Sequence, residues 1–358
     1  MKKLILLSVL VIGILTISSV AGNAPDKEVQ KAFELRMNGK VDEAKALLES
    51  ILLKDSTNAL AYYEKARLQN YLLTGGGEMK MDKILAPINK AVSLDPKNVS
   101  YTYYKAVASF LNAFMAMQMG TGEVKNKIAE TCIQFEKVLS LKPDYYEATL
   151  YLVEIYGMLP KDMGGDSLKA IAYAKKLEST NSYFGAKAKA ALAPEGTDLV
   201  KLWEEKLTKN AKNPEILMEI GRAYLYKDDP QNAEKYFDQA IQSDPSMNIL
   251  ILDLARYHTM KVMQNKDLAS TELPLAKAIC ERYLKTLPTP VVPLKAYTLG
   301  LLTRIEMFLG NKTEADKLLE EAKSLDKYFS RASGVPSLLL FDRPDQISHH
   351  YSSFFSPF

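Results

Sequence analysis

Apolar residues recur at intervals of three and four along most of this chain, the spacing that places them on one face of an α-helix. These amphipathic stretches come in pairs, and several second members end at a similar phrase. The clearest of these ends are Leu94-Asp95-Pro96, Leu141-Lys142-Pro143 and Ser243-Asp244-Pro245. Because proline lacks an amide donor and disfavours helical geometry in the residue before it, each phrase should end a helix. The pattern predicts an all-α chain built from a repeated pair of helices.

The repeat is clearest in residues 214–247, where small and aromatic residues stand at fixed offsets: Gly221, Tyr224, Ala233, Phe237, Ala240 and Pro245. This spacing resembles the tetratricopeptide repeat, a helix–turn–helix unit of 34 residues. Small side chains are needed where the two helices of a unit cross closely. Small residues at matching positions in other units include Ala32, Ala44, Ala66, Ala91, Ala106, Ala170, Ala255, Ala276, Ala315 and Ala322.

The resemblance implies a right-handed superhelical solenoid of antiparallel helix pairs in residues 22–329. We predict eight units, at 25–58, 59–98, 99–145, 146–184, 185–213, 214–247, 248–290 and 291–329. The fifth is degenerate, with a break at 193–196 and Trp203 as its main core residue.

Four units carry extra residues between their helices, at 74–81, 120–124, 159–166 and 263–272. Insertions at equivalent points of a solenoid fall along one edge. Such an edge is either tolerated loop length or a surface that contacts a partner or a second copy of the chain.

The first 21 residues have the features of a signal peptide. Lys2 and Lys3 precede an apolar run at 4–17, and small residues lead up to a cut after Ala21 or, one residue later, after Gly22. An uncleaved anchor is the alternative, but the run is shorter than the ~20 apolar residues that span a bilayer. No cysteine near the cut provides a lipid attachment site. We therefore expect a periplasmic or secreted protein.

Residues 330–358 leave the repeat pattern and are rich in proline and aromatic residues. The last unit of a solenoid exposes an apolar face that needs a cap. We expect this tail to fold back onto the last helices, the alternative being a hook that binds a partner.

Composition argues against several classes of function. The net charge of +3 becomes +1 without Lys2 and Lys3, so the chain has no basic field for nucleic acid. Phosphate-binding-loop and common hydrolase motifs are missing from the sequence, and three histidines and two cysteines leave little for a metal site. Cys132 and Cys280 fall four units apart and should be buried free thiols. We expect a non-enzymatic protein without cofactor or metal.

The resemblance also implies a concave groove lined by the first helix of each unit. It places eight candidate partner-binding residues there: Tyr63, Arg67, Asn70, Tyr103, Val107, Phe110, Arg222 and Arg256. Phe33, Arg36, Leu150, Glu154, Met218 and Leu252 take further inward positions.

Tyrosine, phenylalanine and arginine dominate binding hot spots, and arginine pairs with carboxylates. We expect this chain to bind a protein or peptide. The alternative is that the chain itself is a solute-binding accessory of a transport system. An open groove would favour the first function and an enclosed pocket the second.

Overall fold

The computed structural model describes residues 26–73, 81–118, 120, 123–207 and 212–328. Within these ranges the chain forms sixteen α-helices and no β-strand, which confirms the all-α class. The predicted signal peptide, most of the insert at 74–81 and the tail at 330–358 lie outside the described residues, so those three predictions stay predictions. No helix in the described ranges is both long enough and apolar enough to cross a membrane.

The helices follow one another as antiparallel pairs, in the order that the sequence predicts. The first four pairs are α1 (Lys27–Met37) with α2 (Val41–Lys54), α3 (Ala59–Leu73) with α4 (Asp82–Leu94), α5 (Val99–Gln118) with α6 (Val124–Leu141), and α7 (Tyr146–Met158) with α8 (Ser167–Thr180). The others are α9 (Ser182–Ala191) with α10 (Leu199–Leu207), α11 (Pro214–Tyr226) with α12 (Pro230–Ser243), α13 (Leu250–Gln264) with α14 (Ala269–Leu284), and α15 (Val292–Phe308) with α16 (Lys312–Leu325). The architecture is a tetratricopeptide-repeat-like solenoid.

One predicted boundary moves. The fifth unit begins with α9 at Ser182 and not at residue 185. The reason is a local cap: Asn181 Oδ1 accepts the backbone N–H groups of Tyr183 and Phe184, each at 3.0 Å. This unit is still the shortest, and Trp203 is buried within it as predicted.

Small residues lie where the helices of a unit cross, as the pattern predicts. The alanines at the matched positions are fully buried: Ala32, Ala44, Ala66, Ala91, Ala106, Ala170, Ala233, Ala240, Ala255, Ala276, Ala315 and Ala322. At Gly221 the approach is closer still, since a Cβ there would lie 2.4 Å from Phe237 Cε1. The small residues of the repeat pattern therefore mark the positions at which paired helices pack closely.

The predicted helix stops agree with the structure, since α4, α6 and α12 each end two residues before the proline of their phrase. The insert at 159–166 fills the link between α7 and α8 and contains the 3-10 helix Lys161–Met163. The insert predicted at 263–272 is shorter than expected: only residues 265–268 lie between the two helices, because α13 continues to Gln264 and α14 begins at Ala269.

The first helices form the inner layer of the solenoid. Helix α1 contacts α3, α7 contacts α9 and α11 contacts α13, so first helices of consecutive units lie close together. Hydrophobic residues fill the space between this layer and the second helices. Cys132 on α6 and Cys280 on α14 are buried free thiols, as predicted, and burial raises their pKa values to about 11 and about 12.

Candidate binding surface on the concave face

The structure buries most of the candidate partner-binding residues. Seven of the eight are buried in the folded chain, and Arg256 is half-buried. The concave face is therefore more enclosed at these positions than the open groove that the sequence suggested. Whether these side chains contact a partner stays a prediction.

Three of the candidates belong to the hydrophobic core. Tyr103, Val107 and Phe110 lie in the largest cluster of buried apolar residues. The Tyr103 ring lies 4.7 Å from the ring of Tyr145, and the Phe110 ring lies 5.5 Å from that of Tyr151. The aromatic rings of Tyr103 and Phe110 therefore serve packing inside the folded chain.

Three further inward positions are also core positions. Leu150, Met218 and Leu252 are fully buried. The polar inward residues behave differently, because they gather into two groups of charged side chains that span neighbouring first helices.

We call the first group the first cationic cluster: Phe33 and Arg36 from α1 with Tyr63, Glu64 and Arg67 from α3. Each carboxylate oxygen of Glu64 pairs with one arginine. Oε1 lies 2.7 Å from Arg36 Nε, and Oε2 lies 3.1 Å from Arg67 Nη1. Both guanidinium groups also lie over the Phe33 ring, at 5.4 and 5.1 Å from its centroid. The arrangement holds two cationic planes in fixed positions beside aromatic rings.

Asn70 stands one turn after Arg67 on the same face of α3. Its Oδ1 atom is buried, and no hydrogen-bond donor reaches it from the described part of the chain. A buried amide oxygen without a donor is costly, so a polar partner would gain by donating to it.

The second cationic cluster comprises Lys187 on α9, Glu219 and Arg222 on α11, and Asp253 and Arg256 on α13. Glu219 Oε1 lies 2.7 Å from Lys187 Nζ and 3.9 Å from Arg222 Nη1. Asp253 lies 3.3 Å from Arg222 Nε through Oδ2 and 3.5 Å from Arg256 Nη1 through Oδ1. Each acid therefore bridges two consecutive units.

Charge pairing fixes the ionisation of Glu219. Burial alone would raise the pKa of its carboxyl group, but the neighbouring Lys187 and Arg222 outweigh burial and lower that pKa. Glu219 is thus ionised at neutral pH, and it orients Lys187 and Arg222.

The acids of both clusters share a spacing that the sequence analysis missed. Each of the arginines Arg67, Arg222 and Arg256 has an acid three residues before it: Glu64, Glu219 and Asp253 respectively. Residues three apart on a helix lie on the same face, so this recurrent acid was a readable signal.

Carboxyl groups on α7 lie between the two clusters. Glu147 and Glu154 are both buried. Burial raises the pKa of Glu147 to about 7, and it does the same for Glu215 on α11. Glu147 and Glu215 therefore titrate near neutral pH in the folded chain.

In the described ranges, no group of three or more His, Cys, Asp or Glu side chains is placed to hold a metal ion. The geometry of the concave face is that of oriented charges and rings.

Comparison with known proteins identifies one repeat directly. Residues 214–247 match the family model of the tetratricopeptide repeat, at the bounds expected for the sixth unit. No curated protein matches the chain significantly.

Several solved structures are similar to the chain at low identity. A human IFIT1 dimer with m7Gppp-AAAA is 17% identical over 85% of this chain and 72% of that chain, with a TM-score of 0.39. PilW, a type IV pilus biogenesis factor, is 16% identical over 87% and 97%, with a TM-score of 0.28. YrrB, a repeat protein with an unusual peptide-binding site, is 16% identical over 57% and 95%, with a TM-score of 0.29. None of these similarities bears on the partner of this chain.

Proposed function

We propose that this chain, a tetratricopeptide-repeat protein, is an exported interaction scaffold that binds an acidic segment of a partner protein on its concave face. The observation that carries the proposal is the pair of cationic clusters. In both, cations from consecutive first helices converge and are oriented by shared acids. No comparable grouping of catalytic side chains competes with them among the described residues.

The physical basis of the proposed binding is preorganisation. A guanidinium group pairs with a carboxylate through two parallel hydrogen bonds, but only when its plane is correctly oriented. Glu64 and Asp253 fix that orientation before a partner arrives, so binding does not have to order these side chains. Aromatic rings beside Arg36 and Arg67 supply apolar contact area next to the charges.

Export is part of the proposal and rests on the N-terminal sequence alone. Lys2, Lys3 and the apolar run at 4–17 have the order of a signal peptide. Mass spectrometry of the N terminus of the protein from its native source tests this part. A mature chain that starts near Gly22 supports export, whereas a chain that retains Lys2 opposes it.

A second candidate function is binding of a small solute for a transport system. The burial of seven of the eight candidate residues favours it, since an enclosed surface suits a small ligand better than a long peptide. Native mass spectrometry of the protein purified from its source separates the two functions. A bound mass below about 1 kDa, the size range of small-molecule sites, supports the solute.

The main proposal is tested by selecting random peptides from a display library on the immobilised mature protein. We expect the recovered peptides to be enriched in Asp and Glu. Counter-selection on Arg256→Gln removes peptides that bind elsewhere, and this variant should fold because Asp253 keeps Arg222 as a partner. Recovery of peptides without acidic enrichment would contradict the proposal.

A further inference from the structure

The two ends of the solenoid touch. Lys327 Nζ lies 2.7 Å from Asp42 Oδ2, and the hydroxyl group of Tyr328 donates to the other carboxylate oxygen of Asp42. Beside this pair, Tyr71 OH donates to Asp326 Oδ2 at 2.7 Å. The last unit therefore lies against the first two. We call this contact, between Gly39, Asp42 and Tyr71 on one side and residues 325–328 on the other, the seam.

Gly39 sets how closely the seam packs. It lies in the loop between α1 and α2 with φ of +75°, a conformation that favours glycine. A Cβ at this position would lie 2.3 Å from the carbonyl oxygen of Leu325 and 3.0 Å from Val292 Cγ1. The backbone of the loop thus rests directly on the end of α16, and a side chain there would force the seam apart.

The seam combines apolar packing with polar contacts. One cluster of buried apolar residues includes Val41 of the first unit and Leu294 of the last, with Leu325 packed against it. The polar contacts are mostly exposed. The side chains of Lys327 and Asp42 are 73% and 54% exposed. Exposed ion pairs contribute little to stability and are screened by salt. The hydrogen bond from Tyr71 to Asp326 is buried. The two helices of a unit lie against each other along most of their length, whereas the helices of the last unit touch those of the first two units at few points. The seam should therefore open before any unit comes apart.

We propose that the seam is a reversible clasp that controls access to the concave face. When residues 325–328 leave the loop between α1 and α2, the superhelix loses its end-to-end contact and can widen. Opening would then expose cationic side chains that are buried in the closed form. The use of the clasp for partner entry rests on the proposed function, whereas the opening itself is a property of the chain alone.

Pulsed electron paramagnetic resonance measures the opening without any partner. Spin labels are attached to the double variant Lys40→Cys with Lys323→Cys, since both positions are exposed and close to the seam. Cys132 and Cys280 are buried thiols and should stay unlabelled. We expect a short and a long distance population. Raising the salt concentration to about 1 M should increase the long population at least twofold, because it screens Asp42 from Lys327.

Two glycine variants test the role of the seam in this equilibrium. Gly39→Ala should move most molecules to the long distance. The matched control is Gly310→Ala, in the equivalent loop between α15 and α16: φ is +83° there too, but a Cβ would meet no atom within 4 Å. The control should keep the wild-type distribution, and circular dichroism should show that both variants are folded.

A single short distance at every salt concentration would overturn the clasp. Equal shifts in both glycine variants would also contradict it, because the effect would then come from loop strain and not from the seam. If Gly39→Ala does not fold, the salt titration of the labelled parent decides alone. Neither result depends on the proposed acidic partner, so failure of the clasp and failure of the function remain distinguishable.

Discussion

Replacing Glu64 by glutamine tests whether this acid holds the first cationic cluster in place. Glu64 is 2% exposed and lies between Arg36 and Arg67, which are 0% and 5% exposed. Removing one charge from a buried ion pair costs about 3–5 kcal/mol, because the other charge loses its compensation. The amide still accepts one hydrogen bond, so we expect the lower end of that range, about 3 kcal/mol. The loss should appear as a lower denaturation midpoint in urea, followed by circular dichroism.

The matched control is Glu43→Gln on the outer helix α2. Glu43 lies 3.5 Å from Lys40, and both side chains are more than half exposed. An exposed pair of this kind contributes at most about 0.5 kcal/mol. If Glu64→Gln loses no more stability than Glu43→Gln, then Glu64 does not hold the arginines, and the preorganised cluster is the wrong description.

Three further predictions concern packing, thiol reactivity and pH. Gly221→Ala should lower the free energy of unfolding by about 1–3 kcal/mol, because the new methyl group would clash with the buried ring of Phe237. Gly157→Ala should lower it less, because its methyl group would meet the movable end of the half-buried Leu192 side chain. Urea denaturation of the two variants measures the difference. Maleimide should modify Cys132 and Cys280 only after denaturation, because burial raises their pKa values, and intact mass spectrometry checks this. Burial raises the pKa of Glu147 from 4.5 to about 7, so the free energy of unfolding of the wild type should decrease by up to about 3 kcal/mol as the pH rises between those two values. In thermal scans, Glu147→Gln should be more stable than the wild type at pH 8 and equally stable at pH 4.

The repeated helix pair could be predicted from the sequence because its causes are local. Helix crossings need small residues at fixed offsets, and Ala233 and Ala240 stand at those offsets in the clearest unit. Prolines such as Pro96 end helices through their own covalent structure. The start of the fifth unit was misplaced because the prediction overlooked Asn181, a residue type that favours the start of a helix.

The candidate surface was harder to predict because burial depends on neighbouring units. Tyr103 and Phe110 occupy inward positions of the repeat, but the long helix α5 packs them against the aromatic rings of the next unit. Arg67 and Arg222 were predicted as surface cations because the acids three residues before them, Glu64 and Glu219, were overlooked, although that spacing can be read from the sequence.

The seam had no signal in the sequence. Asp42 and Lys327 are 285 residues apart, and nothing in either local pattern indicates that they meet. Their contact follows from small rotations between consecutive units, which add up around the superhelix. Which residues meet at the seam therefore depends on the geometry of all the unit interfaces together.

The most direct test of the central claim is the affinity of a selected acidic peptide for wild type and for Arg256→Gln, measured by fluorescence anisotropy. Arg256 is the most exposed of the candidate arginines, and its loss leaves Asp253 paired with Arg222. We predict that Arg256→Gln weakens binding about tenfold or more, that salt weakens wild-type binding, and that Lys45→Ala on the outer helix α2 changes nothing. Equal affinities for wild type and Arg256→Gln, with no dependence on salt, would show that the concave cationic face is not the binding surface.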